Sequence, residues 1–168
     1  AGFGGTSNVR AGLELGIPLY GSMAHSFVLV HDEEAASFVA FARANPDAVT
    51  LLIDTYDTEA AARKVVELAP RLRAEGITIA AVRLDSGDLG AHARSVRAIL
   101  DAGGLGRVGI FASGNLDERS VAELVRGGAP IDGFGVGTRM NTSADAPYLD
   151  CAYKLEEYAG RARRKRSE

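Results

Sequence analysis

The chain has 168 residues, of which 46% are hydrophobic and 24% are charged. This length and composition are typical of one globular domain with a sizeable buried core. A formal net charge of −3 gives no general attraction to nucleic acid or to anionic lipid, so a small-molecule partner is favoured.

The sequence also limits where the protein is expected to work. Its one cysteine, Cys151, allows no disulfide within the chain and is interpreted as an inert core thiol. The chain has no apolar run of about 18 residues and no N-terminal signal pattern. We therefore expect a cytoplasmic protein that does not bind membranes.

Short apolar runs rich in β-branched residues recur at intervals of roughly thirty residues, which is typical of buried parallel strands. The predicted strands are, in chain order, Ile17–Tyr20, Val49–Asp54, Ile77–Leu84, Val108–Ser113 and Ile131–Val136. Stretches with helical spacing separate them. The predicted helices are Glu33–Ala44, Glu59–Ala74, Gly90–Leu100 and Asp117–Arg126.

Local signals support the boundaries of these elements. Asp57 and Asp117 stand where helix N-caps are expected, and Gly76, Gly103 and Gly127 stand where helices should end. Repeated βα units close into a barrel or spread into a doubly wound sheet, and the periodicity leaves both open. The predicted strands are too few for a complete eight-stranded barrel.

Polar residues gather just beyond the carboxyl ends of the predicted strands. They are Ser22 and His25, Asp54 and Asp57, Arg83 with Asp85–Asp88, Ser113–Asn115, and Gly135–Thr138. In parallel α/β folds this edge binds ligands, because strand ends, helix N-termini and short loops converge there. Several segments that supply polar groups to one edge predict a site more strongly than any one of them.

Some of these residues have simpler structural explanations. Asp57 and Asp117 are more often helix caps than catalysts. His31 and His92 are expected on solvated helical surface. His25 differs, because it follows an apolar strand and a small-residue turn, which places its imidazole at the edge of the sheet and not on a helix face.

The run Arg83–Asp88 places a cation and two carboxylates close together at a strand end. An ion-pair network would explain this run. A site for a ribose and an anion would explain it equally well, because carboxylates accept hydrogen bonds from sugar hydroxyls and a guanidinium binds anions. The residues alone leave both explanations open.

Taken together, the motifs at this edge resemble those of nicotinate phosphoribosyltransferases. The resemblance rests on six blocks in the family's order and spacing: Gly5–Asn8, Gly21–Ser26, Leu51–Thr58, Arg83–Asp88, Ser113–Glu118 and Phe134–Thr138. It implies an α/β fold, a partial irregular (β/α) barrel of the type II phosphoribosyltransferase kind, over residues 1–160. A basic surface segment over residues 161–168 would follow, and the family's N-terminal domain would be absent.

The resemblance also implies an activity. Members transfer 5-phosphoribosyl from phosphoribosyl pyrophosphate to nicotinate, giving nicotinate mononucleotide for NAD biosynthesis. They use Mg²⁺ and couple transfer to ATP hydrolysis through a phosphohistidine. The implied assembly is a homodimer, and the chain by itself, truncated at both ends relative to the family, is expected to be inactive.

The roles of individual residues carry over by motif. His25 stands at the position of the phosphorylated histidine, and Asp54 would hold its other ring nitrogen and so fix the tautomer. Arg83 would contact the pyridine ring and its carboxylate, while Asp85 would contact the ribose hydroxyls or, through water, Mg²⁺. The other substrate-binding residues would be Ser113 and, through backbone N–H groups on the 5′-phosphate, Gly114, Asn115, Gly137 and Thr138.

Two other functions stay open. Nicotinamide-using relatives carry an acidic residue in the Gly-Thr block, where this chain has the neutral Ser7, so nicotinate is favoured as the substrate. The second alternative is a non-catalytic fragment that binds phosphorylated ligands without turnover, because segments that complete the site in the family would be missing.

Overall fold

The computed structural model describes residues 2–143, 145, 149 and 154–166, so Cys151 lies outside the described residues. The described helices are α1 Val9–Leu15, α2 His25–Val30, α3 Glu34–Ala44, α4 Thr58–Ala74, α5 Leu89–Ala102, α6 Glu118–Arg126 and α7 Thr138–Asn141. The strands are β1 Val49–Leu52, β2 Ile79–Leu84, β3 Gly109–Ala112, β4 Gly133–Phe134, β5 Glu157–Tyr158 and β6 Arg161–Ala162. None of the helices in these ranges is long and apolar enough to cross a membrane.

Strands β1 to β4 form one parallel sheet in the order β1-β2-β3-β4. Helix α4 connects β1 to β2, α5 connects β2 to β3, and α6 connects β3 to β4. Each of these strands lies within a strand predicted from the sequence, and the α/β class is confirmed. Strands β5 and β6 form a separate antiparallel hairpin.

Burial along the strands shows which parts of the sheet are covered. Leu51 and Leu52 are both fully buried, and because neighbouring strand residues point to opposite faces, both faces of β1 are covered. In β3, Ile110 and Ala112 are fully buried, whereas Phe111 between them is 37% exposed. The second face of the sheet is therefore partly open at β3.

Aspartate side chains cap the helices that follow the first three strands of the sheet. Asp57 accepts a hydrogen bond from Ala60 N at 2.7 Å, and Asp88 accepts one from Ala91 N at 2.9 Å. Asp117 accepts one from Ser120 N at 2.8 Å. The two caps predicted from the sequence, Asp57 and Asp117, are therefore confirmed. The backbone and side-chain bonds from Ser120 hold the pKa of Asp117 below its usual value.

The predicted first strand, Ile17–Tyr20, is wrong. Within the described residues this segment forms one isolated bridge, between Leu19 and Thr6. Pro18 has no N–H to donate and only accepts, at its carbonyl oxygen, a bond of 2.9 Å from Thr6 N. Ile17, Leu19 and Tyr20 are 37%, 47% and 61% exposed, so the apolar run that suggested a strand is not in the core.

His31 and His92 also differ from the solvated residues expected. His31 Nδ1 lies 2.8 Å from the carbonyl oxygen of Phe27, and His92 Nδ1 lies 2.8 Å from Glu59 Oε1. Both residues are part-buried and tied to neighbouring groups. Neither contact places them in the cluster of polar residues at the strand ends.

Candidate active site

Three neighbouring strands end at the same edge of the sheet and deliver polar residues there. Asp85 follows β2 directly, and its backbone N–H donates to Asp54 Oδ2 at 3.1 Å. Ser113 follows β3, and its N–H donates to the carbonyl oxygen of Leu84 at 2.8 Å. The parallel pairing of the strands thus places Asp54, Asp85 and Ser113 side by side.

His25 reaches this edge from a helix. It is the first residue of α2, which corrects the expectation that its imidazole does not lie on a helix. Its Nδ1 is 3.1 Å from Thr55 Oγ1. Its Nε2 is 3.5 Å from Asp85 Oδ2 and 3.8 Å from Asp54 Oδ1, within ion-pair range but longer than a normal hydrogen bond.

Asp54 is the most buried charged group of the cluster, since its side chain is 1% exposed. Its Oδ2 accepts from Ser86 Oγ at 2.5 Å, in addition to the bond from Asp85 N. Its Oδ1, which faces His25, has no hydrogen-bond partner among the described residues. The oxygens of a buried carboxylate are normally hydrogen-bonded. Asp54 Oδ1 and the neighbouring His25 Nε2 have no such partner among the described residues, so both are free to bond to a ligand.

Asp85 is held between a serine and the histidine. Its Oδ1 accepts a hydrogen bond of 2.5 Å from Ser113 Oγ. Burial raises the pKa of Asp85, but the neighbouring His25 imidazole, the Ser113 hydroxyl and the charge of Arg83 together outweigh burial and hold the pKa below its usual value. Asp85 is therefore a carboxylate at neutral pH, able to accept from hydroxyl groups or to bind a cation.

Arg83 lies at the end of β2 with its guanidinium only partly engaged. Its Nη1 donates to Ser22 Oγ at 2.7 Å, and its Nε is buried without a partner among the described residues. A planar guanidinium with a free donor can bind a carboxylate or stack on an aromatic ring. That Arg83 contacts a pyridine carboxylate stays a prediction.

Gly114 and Asn115 form a tight loop against Asp85. Gly114 has a φ of +94°, and a Cβ added to it would lie 2.1 Å from the carbonyl oxygen of Asp85. Asn115 also has a positive φ, of 51°. Both residues line a cleft of about 430 Å³ that Asp88 and Arg94 also border, but the side chains of His25, Asp54 and Asp85 are not part of its lining.

The remaining predicted residues lie at different distances from this cluster. Gly137 is the N-cap of α7 and Thr138 its first residue. They follow β4, and Gly135 N donates to the carbonyl oxygen of Ala112 at 2.8 Å, so their loop starts beside Ser113. Ser7 is exposed next to the start of α1, and no hydrogen bond among the described residues joins it to the cluster.

The sequence did not predict that the basic tail would reach this site. Lys165 Nζ lies 2.9 Å from Ser86 Oγ and 3.7 Å from Asp54 Oδ2. Arg163 is turned inward as well, with its side chain 11% exposed. Arg161, Ala162, Arg164 and Arg166 are exposed, as expected of a surface segment, but the contacts of Arg163 and Lys165 were not expected, and composition alone gave no signal for them.

The residues that the structure describes contain no cluster of three or more His, Cys, Asp or Glu side chains suited to hold a metal ion. Mg²⁺ is commonly bound by one or two carboxylates together with substrate phosphates and water. Asp85, whose side chain is 31% exposed, fits that mode of binding.

The fold is that of an α/β protein with a candidate ligand site at the carboxyl edge of its parallel sheet. A sequence model of the nicotinate phosphoribosyltransferase (NAPRTase) family matches residues 1–161. The chain therefore belongs to the nicotinate phosphoribosyltransferase family.

Curated relatives agree with this assignment. The chain is 53% identical over 165 residues to the nicotinate phosphoribosyltransferase pncB2 of Mycobacterium tuberculosis, covering 98% of this chain and 35% of that protein. It is 38% identical over 154 residues to the nicotinate phosphoribosyltransferase of Bacillus subtilis, covering 92% of this chain and 31% of that protein. The chain thus spans about a third of the length of these relatives.

Solved structures share the fold. A nicotinate-nucleotide pyrophosphorylase from Pyrococcus furiosus superposes with a TM-score of 0.66 at 30% identity, over 79% of this chain and 34% of that one. A nicotinate phosphoribosyltransferase from Porphyromonas gingivalis superposes with a TM-score of 0.69 at 19% identity, over 96% of this chain and 40% of that one. These likenesses confirm the predicted fold class, a partial α/β barrel of the phosphoribosyltransferase kind.

Proposed function

We propose that the full-length protein carrying this sequence transfers 5-phosphoribosyl from phosphoribosyl pyrophosphate to nicotinate, forming nicotinate mononucleotide. The observation that carries the proposal is the cluster of His25, Asp54 and Asp85 at the sheet edge, in a chain that belongs to the nicotinate phosphoribosyltransferase family. The named activity of the relatives supports it.

The surroundings of His25 suit phosphoryl transfer to its Nδ1. Both carboxylates lie on the Nε2 side of the ring, and their negative charges favour a proton on that nitrogen. Nδ1 then keeps its lone pair and accepts from the Thr55 hydroxyl. Loss of that one bond would free Nδ1 to attack the γ-phosphorus of ATP, forming an N–P bond as the bond to ADP breaks.

The ribosyl transfer itself depends mainly on positioned charges. Displacement of pyrophosphate from the anomeric carbon develops positive charge on the ribose, which a nearby carboxylate stabilises. Asp85 provides that carboxylate, since its pKa lies below the usual value and one of its oxygens is fixed by Ser113. Arg83, whose Nε has no described partner, would bind the nicotinate carboxylate.

Mg²⁺ and ATP belong to this proposal. Bound Mg²⁺ would neutralise pyrophosphate and make it a better leaving group. Asp85 would hold the ion through water, as its exposure allows. The tight loop at Gly114 and Asn115, together with Gly137 and Thr138, would offer backbone N–H groups to the 5′-phosphate.

We further propose that the full-length protein acts as a homodimer in the cytoplasm. Nicotinate is preferred to nicotinamide because Ser7 places no negative charge beside the substrate carboxylate. This preference depends on Ser7 reaching the ring substituent when substrate is bound.

The test is a transfer assay with the purified full-length protein. Labelled nicotinate, phosphoribosyl pyrophosphate, Mg²⁺ and ATP should yield nicotinate mononucleotide, and labelled nicotinamide should yield much less product. Asp85→Asn should lower kcat/KM by about a hundredfold or more, because the loss of a charge at the reacting centre costs several kcal/mol. Asp47→Asn is the matched control, since Asp47 is exposed in the turn before β1. No product from the unmodified protein, or equal rates for the two variants, would refute the proposal.

A further inference from the structure

Residues 161–166, called the tail below, pack beside the candidate active site. After Arg161–Ala162 closes the hairpin with β5, the chain runs back toward the sheet edge. The backbone N–H of Arg166 donates to the carbonyl oxygen of Thr55 at 2.9 Å. Thr55 directly follows Asp54 and is itself the residue that contacts His25. This hydrogen bond fixes the tail to the backbone of the site.

A second set of bonds fixes the same tail to the helix that carries His25. Arg163 donates through Nη1 to the carbonyl oxygen of His31 at 3.2 Å and through Nη2 to Asp32 Oδ1 at 2.9 Å. Arg161 Nη1 donates to the same Asp32 oxygen at 2.9 Å. His31 is the C-cap of α2, whose first residue is His25. The tail thus binds the far end of that short helix.

Between these two attachments the tail delivers one lysine to the cluster. Lys165 Nζ is within hydrogen-bond length of Ser86 Oγ and 3.7 Å from Asp54 Oδ2, and its side chain is 30% exposed. Ser86 in turn donates to the same Asp54 oxygen. Lysine, hydroxyl and carboxylate therefore form one connected chain of polar contacts.

The charges explain why a lysine is suited to this position. Asp54 is almost fully buried, and a buried carboxylate is costly unless a positive group and hydrogen bonds compensate it. Lys165 supplies a positive charge on the Oδ2 side, which leaves the unpaired Oδ1 directed at His25 Nε2.

We propose that Lys165 is a positioning residue of this active site, which holds Ser86 and Asp54 in place so that Asp54 orients the imidazole of His25. The effect of Lys165 on kcat rests on the proposed function, whereas its contacts with Ser86 and Asp54 do not. Lys165 acts through Ser86 and Asp54 and need not touch either substrate. The tail from Arg161 to Arg166 is accordingly part of the site.

The experiment compares Lys165→Met, Lys165→Gln and Lys165→Arg in the full-length protein with the matched control Arg164→Met. Arg164 is the exposed neighbour in the same tail, so its replacement removes a tail charge without removing the contact. The two neutral variants at Lys165 should lower kcat by about tenfold or more while the KM for nicotinate changes by less than about twofold. Lys165→Arg should recover most of the lost kcat, and Arg164→Met should behave like the unmodified protein.

A double-mutant cycle separates positioning from a merely structural role. If Lys165 acts through Ser86, the loss caused by Lys165→Gln should be much smaller in a Ser86→Ala background than in the unmodified protein. If Lys165→Gln lowers kcat by the same factor in both backgrounds, the proposal is overturned. It is also overturned if Lys165→Gln has the same kcat as Arg164→Met. If Lys165→Met does not fold, the Gln variant alone decides between these outcomes.

Hydrogen exchange provides a measurement that does not depend on turnover. Backbone amides in the peptides spanning residues 25–32 and 53–57 should exchange faster in Lys165→Gln than in Arg164→Met. An unmodified protein without transferase activity would refute the proposed function, yet this exchange difference would still support the placement of Lys165. Equal exchange in the two variants would overturn that placement whatever the activity.

Discussion

Gly114→Ala should disturb both the stability and the site of this protein. The residue has a φ of +94°, which for a residue with a Cβ costs about 1–2 kcal/mol. The new Cβ would lie 2.1 Å from the carbonyl oxygen of Asp85, a backbone atom that cannot rotate away. Forcing the two segments apart should cost about 1–3 kcal/mol more, as for other overpacked sites.

Gly128→Ala is the matched control for this substitution. Gly128 has a φ of +62°, and a Cβ added to it would meet no atom within 4 Å. The alanine therefore carries a similar backbone strain, and a similar change in unfolded-chain entropy, without the clash. The difference between the variants isolates the contact with Asp85 and should be about 1–3 kcal/mol in the free energy of unfolding.

Urea denaturation followed by circular dichroism measures that difference, and the transfer assay measures its effect on the site. Because the clash displaces Asp85, Gly114→Ala should lower kcat/KM by at least about tenfold, whereas Gly128→Ala should leave it within about twofold of the unmodified protein. Equal stabilities for the two variants would show that Gly114 does not pack against Asp85. Equal activities would show that the position of Asp85 does not depend on this loop.

Three other substitutions test separate parts of the reasoning. His25→Ala in the full-length protein should abolish phosphate incorporation from γ-labelled ATP while leaving a weaker, ATP-independent transfer; incorporation at the unmodified level would exclude His25 as the acceptor. Ser7→Asp should shift the kcat/KM ratio away from nicotinate by about tenfold to a hundredfold, because a carboxylate would face the substrate carboxylate; an unchanged ratio would show that Ser7 does not face the ring substituent. Asp57→Ala should lower the free energy of unfolding by about 1 kcal/mol through loss of the bond to Ala60 N, and no change in urea denaturation would contradict the capping role.

Features that depend on nearby residues could be predicted from the sequence. Strands β1 and β2 appear as apolar β-branched runs because most of their residues are buried, and Asp57 and Asp117 cap the helices as their positions indicate. The meeting of Asp54 and Asp85 also follows from the sequence, because neighbouring parallel strands end at the same edge.

Other features depend on contacts that local patterns do not contain. Helix α2 has six residues, and its N-cap is Ala24, which makes no side-chain capping bond, so neither length nor capping chemistry indicated it. The run Ile17–Tyr20 has strand-like composition but no partner strand in the described part of the chain beyond one bridge. Lys165 reaches Ser86 across 79 positions of sequence, a contact that no short motif could reveal.

The aspartate caps have a consequence for how a ligand's phosphates can bind. Asp57, Asp88 and Asp117 occupy the N-termini of α4, α5 and α6, whose partial positive charges would otherwise attract phosphate. Asp54 and Asp85 add carboxylates at the same edge, and Arg83 and Lys165 add cations beside them. Because aspartates already occupy the N-termini of α4, α5 and α6, we expect a ligand's phosphates to depend on backbone N–H groups elsewhere in the site and on an accompanying cation.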